Sequence, residues 1–166
     1  MKIIRLLLIT ALFALLGSVS SMALAAEKGA VKLTSIAQVE IESTGADGKK
    51  TVTRVPAVKV VPGKEVIYTT TFENLIKKPV GKIVINNPIP NDSEYTAGSA
   101  FGKDCDIEFS ADGGKTFGHA DTLKVNGADG KTRPALPKDY TNVRWIYKKQ
   151  LAAGKSGEVG FRAVVK

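Results

Sequence analysis

One stretch limits what this chain can fold into more than any other: Pro62 to Pro90, PGKEVIYTTTFENLIKKPVGKIVINNPIP. It reads as turn, strand, turn, strand, turn, with no helical period. Pro62-Gly63 predicts a tight turn, because proline presets φ and glycine accepts positive φ. Val66, Tyr68, Thr70 and Phe72 then share one face, and Ile67, Thr69, Thr71 and Glu73 the other. A period of two in a run this dense in β-branched and aromatic residues predicts a strand, closed by Asn74. Lys77-Lys78-Pro79 is a polar connection. A second strand is expected from Lys82 to Asn86, with Ile83 and Ile85 on one side. Pro88 and Pro90 forbid pairing beyond it in a sheet interior.

The N-terminus reads as an address. Lys2 and Arg5 precede an apolar run, Leu6 to Leu16, too short to span a bilayer, and Ala23-Leu24-Ala25 fits a small-residue cleavage site. Residues 1–25 are therefore expected to be a signal peptide, removed after Ala25 or after Ala26. The chain is then exported to the periplasm, the cell surface or the medium. Residues 26–166 are close to the usual size of one domain, and no second long apolar run predicts a membrane span. Two of the 24 basic residues lie in the signal, leaving 22 against 16 acids, a net of +6. The lysines stand in separate turns (Lys49-Lys50, Lys77-Lys78, Lys148-Lys149), without the aromatic-interleaved cluster of a nucleic-acid footprint. Anionic envelope polymers could still attract such a surface. One cysteine, Cys105, cannot make an internal disulfide, so the core must hold the fold. Cys105 is expected either as a small buried apolar residue or as a free thiol. It has no metal-ligand spacing around it.

Along the chain the pattern is strand after strand. Val31 to Ile41 alternates and predicts a long half-buried strand. Thr44-Gly45-Ala46-Asp47-Gly48 is a hairpin loop, Thr51 to Val55 returns, and Val58 to Val61 is expected to continue into the central unit. Glu94 to Ala97 is a short strand. Asp106 to Ser110 alternates, and Thr116-Phe117 opens the next strand. Thr122 to Val125 is brief, and Gly127 to Asp139 is expected as a long loop. Asn142 to Lys149 sets Val143, Trp145 and Tyr147 on one face, and the last strand sets Val159, Phe161, Ala163 and Val165. The sum predicts an all-β, antiparallel β-sandwich of about 7–9 strands.

Val61-Pro62-Gly63-Lys64-Glu65-Val66-Ile67-Tyr68, Phe72-Glu73-Asn74, Asn87-Pro88-Ile89-Pro90 and Tyr95-Thr96-Ala97-Gly98-Ser99-Ala100 carry a resemblance. Together, over about Val60 to Ala100, they resemble the bacterial surface-protein repeat known as domain of unknown function 11. Asn87 stands where that pattern usually has Asp. The C-terminal half, with Arg144-Trp145 and Leu151-Ala152-Ala153-Gly154, resembles small single-domain exported members. The resemblance implies an immunoglobulin-like sandwich in an envelope or extracellular protein, and it implies no enzymatic activity.

Ser110-Ala111-Asp112-Gly113-Gly114-Lys115-Thr116-Phe117 is similar to the Asp-box, S-x-D-x-G-x-x-W, with Phe117 for Trp. Ser110, Asp112, Gly114 and Phe117 are expected to make a self-capped hairpin and no catalytic centre. A Ca²⁺ site at Asp112 lacks the acidic cluster such a cation needs. His119, the single histidine, is expected as an exposed loop residue, and no G-x-S-x-G accompanies it. Asp106 and Glu108 share a strand face that reads as solvated, although paired carboxylates there could do glycoside chemistry. Trp145, Tyr147, Phe161, Tyr68 and Phe72 read as core, not as a sugar-binding platform. No cofactor is expected, no metal, no nucleic acid and no span after signal removal. The expectation is a non-enzymatic structural or adhesive protein touching other envelope proteins or itself. The alternative is a soluble binding module for glycans or anionic envelope polymers. Val31 to Ile41 either pairs within its own sheet or docks on a neighbour's sheet edge.

Overall fold

The computed structural model describes residues 29–166. The segment 1–25, expected as a signal peptide, lies outside the described residues. The centre is β3 (Glu65–Asn74), which pairs antiparallel with β1 (Val31–Thr44) on one side and with β11 (Ser156–Val165) on the other. Phe72 stands opposite both Leu33 and Gly157, and Tyr68 opposite Ala37 and Phe161. Val66, Thr70 and Phe72 are buried on the inner face, as alternation requires. Ile67 and Thr69 on the outer face are buried too. The Phe101 ring lies over that face: a Cβ on Gly160, the partner of Thr69, would come within 2.6 Å of it. A strand covered on both faces explains why its outer positions include Ile67 and Thr69 rather than charges alone.

Outside β1 runs β2 (Lys50–Pro56). Beyond β11 lie β5 (Ser93–Tyr95) and β6 (Phe101–Gly102). A second sheet places β10 (Asn142–Tyr147) between β4 (Val84–Pro88) and β7 (Cys105–Ser110). The two sheets pack face to face around Trp145 and Phe161, both fully buried, with ring centroids 6.3 Å apart. Phe72 meets Tyr147 edge-on at 5.4 Å. Tyr95, Phe109 and Tyr140 form a second aromatic group; the Phe109 and Tyr140 rings stack at 4.5 Å. The fold is an all-β antiparallel sandwich.

The eleven strands of the described residues exceed the expected 7–9, and four of them have only two or three residues: β5, β6, β8 (Lys124–Asn126) and β9 (Thr132–Pro134). Gly127 to Asp139 is accordingly no plain loop. It holds the β8–β9 hairpin turn, β9 and a short 3₁₀ turn, Pro137–Asp139. Arg133 grips Asp139 through two contacts, 2.6 and 2.8 Å, and Leu136 N donates to the same carboxylate at 2.7 Å. Val58 to Val61 is not a strand. Residues 57–64 instead carry the chain from β2 back past β1 to β3. Thr116-Phe117 opens no strand either; the pairing there is one bridge, Phe109 with Gly118.

The two sheets are not of equal width. Thr70 accepts a hydrogen bond from Asn87 of β4 at 2.7 Å, so β4, an edge strand, lies above β3. β1 and β2 project beyond that cover. Val31–Gln38 of β1 pairs with β3 in the same chain, while Gln38–Thr44 pairs with β2. Val39 to Thr44 and β2 together form a two-stranded arm.

Candidate functional site

Each cleft and each group singled out in the sequence has a definite set of partners. At the root of the arm, Arg162 of β11 reaches across the outer face of the sheet. Its Nη1 and Nη2 donate to Glu40, both at 3.0 Å, and Nη1 also to Glu65 at 2.8 Å. Arg54 Nε adds 3.1 Å to Glu40, and Thr96 Oγ1 donates to Glu65 at 2.9 Å. The Arg162 guanidinium, then that of Arg54, holds the Glu40 carboxyl below its ordinary value. A general acid at neutral pH needs the opposite shift. These four charges pin the arm to the sheet beside a cleft of about 650 Å³, lined by Val39, Ile41, Lys59 and Val61 among others.

A second cleft, about 270 Å³, opens where the recessed β4 stops short of β1. Asn87 Nδ2 donates to Thr70 Oγ1, which lies 2.8 Å from Ser35 Oγ. Ser35, Thr70 and Asn87 are thus linked to one another, whereas Thr69 Oγ1, in the same lining, is buried without a hydrogen-bond partner. A third cleft, about 320 Å³, is an apolar slot walled by Tyr95, Phe109 and Tyr140. Tyr95 Oη accepts from Ala100 N at 3.0 Å.

The fourth cleft, about 340 Å³, borders the Asp112 turn. Ser110 Oγ donates to Asp112 Oδ1 at 2.7 Å and accepts from Gly114 N at 2.9 Å. The Asp112 carboxylate accepts from Lys115 N, Thr116 N and Thr116 Oγ1 at 2.6 to 3.1 Å. Gly113 and Gly114 both take positive φ, +76° and +83°, which side chains resist. Phe117 lies under the Arg144 guanidinium, 3.9 Å from carbon to ring centroid. Arg144 also pairs with Glu108, so that carboxylate is engaged. The turn bonds its own backbone, and the Thr116 hydrogen bonds above all hold the Asp112 carboxyl well below the usual carboxylate range.

His119 is exposed, its Nε2 4.0 Å from Asp106. Cys105 is half-buried and unpaired; its Sγ donates to Lys103 O at 3.5 Å, and burial pushes the thiol up. Among the described residues no group of three or more His, Cys, Asp or Glu side chains is arranged to hold a metal, and no helix is long and apolar enough to cross a membrane. One pattern was invisible in the sequence. Lysines that stand far apart along the chain gather at one end of the sandwich, because the loops that carry them meet there.

Acid stability follows from these carboxylates. Asp139 is held down to about 2, chiefly by Arg133, against an unfolded value near 3.9. A depressed carboxyl stabilises the fold fully above its unfolded value, and that share is lost as pH falls through the folded one. Stability from this pair should therefore stay level from neutral pH to about 4, then fall between about 4 and 2. Asp139→Asn should flatten that segment of a urea-midpoint-versus-pH curve. An unchanged slope would mean the pair does not hold in solution.

No protein-family model matches this chain, and no curated protein matches it.

Proposed function

We propose that this chain is an exported, non-enzymatic β-sandwich of the cell envelope or extracellular space that works by protein–protein contact, including contact with its own copies. The observation that carries this reading is the overhanging arm. Ile41 and Val52 on the arm are each half exposed or more, as are Leu33 and Ile36 on the adjoining part of β1 that pairs with β3. Apolar side chains beside an open strand edge are what a partner strand or sheet covers. The signal-like N-terminus and the surface-repeat resemblance of Val60 to Ala100 support the location and the class.

The open edge has a definite extent. Gly45 N donates to Lys49 O, and Ala57 N to Ala37 O. Odd-numbered residues of β2 thus turn their main-chain groups to β1. By alternation Lys50, Val52 and Arg54 turn theirs outward. Pro56 has no N–H to offer and ends the edge. Val52→Pro removes an outward donor without breaking the β1–β2 ladder. Light-scattering mass against concentration should show association of the processed protein that Val52→Pro or Ile41→Lys abolishes, with the melting curve little changed. A monomer at every concentration would sink self-association and leave other envelope proteins as the partners. The alternative reading, binding of an anionic envelope component, rests on the lysine end.

A further inference from the structure

Three loops meet at the end of the sandwich where β3 finishes. They are residues 75–83, 103–104 and 148–155, which follow β3, β6 and β10. Their junction is fixed by hydrogen bonds. Val80 and Leu151 exchange main-chain bonds at 3.0 and 2.8 Å. Asn74 Nδ2 donates to Lys78 O and to Leu151 O, both at 2.8 Å. Lys148 N donates to Asp104 O at 2.9 Å. These loops carry Lys77, Lys78, Lys82, Lys103, Lys148, Lys149 and Lys155, all exposed, against the single acid Asp104, which pairs with Lys149 at 3.0 Å. Residues 29–166 hold 21 basic and 15 acidic side chains, so the rest of the described chain is balanced at 14 of each. These three loops thus carry a net +6, with Glu73 at the end of β3 and Glu158 near the start of β11 the acids next to them.

Two further features belong to the same end. Lys82 and Asp104 are the two non-glycine residues with positive φ among those described, +55° and +60°. Such backbone is uncommon for a lysine and fixes where Lys82 emerges. Leu75, more than half exposed, and Pro79, Ala152 and Ala153 stand among the lysines. None of the seven lysines lines one of the four clefts. Ala30 lies at the same end, its O accepting from Leu75 N at 2.9 Å.

We propose that this end is a docking face for an anionic phospholipid surface. Lysines are point charges that add up over a layer of headgroup phosphates without needing a shaped pocket. The apolar side chains among them suit the boundary between headgroups and acyl chains, which a dissolved polyanion does not offer. The face is distinct from the arm, so a sandwich docked this way keeps its open edge available to other proteins.

The test is sedimentation of the processed protein with vesicles of neutral lipid and with vesicles containing roughly a third anionic phospholipid. Binding is expected to the anionic vesicles alone. It should drop more than tenfold as salt rises from about 0.15 M to about 1 M, where the Debye length shrinks from about 8 Å to about 3 Å. Replacing Lys77, Lys82, Lys148 and Lys155 with Gln should lower partitioning about a hundredfold or more. Replacing Lys115, Lys124, Lys131 and Lys138, which lie on the turn after β7, on the β8–β9 hairpin and on the 3₁₀ turn, removes the same charge elsewhere and should change it less than about threefold. Leu75→Ser should weaken vesicle binding several-fold. Equal loss in both quadruple variants would overturn the proposal, because net charge alone would then explain binding. So would equal affinity for a soluble phosphodiester polymer at matched phosphate, which assigns the face to a dissolved polyanion. Absence of binding to anionic vesicles at low salt overturns it directly.

Discussion

Trp145→Ala should cost about 3–5 kcal/mol, the range for emptying a large aromatic site in a packed core. The residue is fully buried at the middle of β10, the strand between β4 and β7. Its indole is also keyed to a neighbour: a Cβ on Gly102 would stand 2.9 Å from Trp145 Cδ1. Glycine at 102 therefore makes room for the indole. A domain of this size holds about 5–15 kcal/mol in all, so the loss approaches half of it. The melting temperature should fall by about 10 °C or more. Trp145→Phe separates volume from polarity. Nε1 of Trp145 has no hydrogen-bond partner, and leaving such a donor buried costs about 1–3 kcal/mol. The phenyl ring creates a smaller cavity and removes that donor, so the two effects oppose. Trp145→Phe should cost less than about 1.5 kcal/mol. Circular-dichroism melts of both variants read this out. A Trp145→Ala loss below about 1 kcal/mol would mean the two sheets do not close on this residue.

Trp145 was readable as core because its neighbours alternate: Val143, Trp145 and Tyr147 repeat at two-residue spacing over a run of six paired residues. β1, β3, β7 and β11 were legible in the same way, since period-two patterning extends over six residues or more in each. β6 was not legible, since Phe101-Gly102 is too short to show a period; it pairs with Val159 and Gly160 of β11. Val58 to Val61 leads into the central unit as expected, without forming a strand. Those valines look like a strand, but β2 ends at Pro56 opposite Gln38, and the chain must leave the sheet edge there to get past β1. The Asp112 turn was legible because its hydrogen bonds are local, between residues at most four apart, with Thr141 the exception through Gly113. The aromatic group of Tyr95, Phe109 and Tyr140 was not, because each member comes from a different short segment. The lysine end is the extreme case. Lys77 and Lys155 are 78 positions apart, and only the bonds between their loops make them neighbours.

Those bonds converge on Asn74, and Asn74→Ala should therefore have two separable effects. The side chain is almost wholly buried and makes three hydrogen bonds: Nδ2 to Lys78 O and to Leu151 O, and Oδ1 from Ile76 N at 3.0 Å. Truncation leaves two carbonyls and one amide without that partner. At about 1–3 kcal/mol for each buried group left unsatisfied, and with some reached by water, the expected loss is about 2–4 kcal/mol. Asn74→Asp should be no milder. It keeps an acceptor for Ile76 but turns a carboxylate toward two carbonyl oxygens, which requires either repulsion or an unwanted proton. The second effect tests what the lysine face depends on. No charge is lost in Asn74→Ala, yet the tie between residues 75–83 and 148–155 is loosened. Assayed well below its lowered melting temperature, the variant should bind anionic vesicles several-fold more weakly than the parent if the docking face needs its loops held in register. Equal vesicle binding by a destabilised Asn74→Ala would show that local charge density is enough. The positions of Lys82 and Asp104 would then be a consequence of the loop closures and no part of recognition.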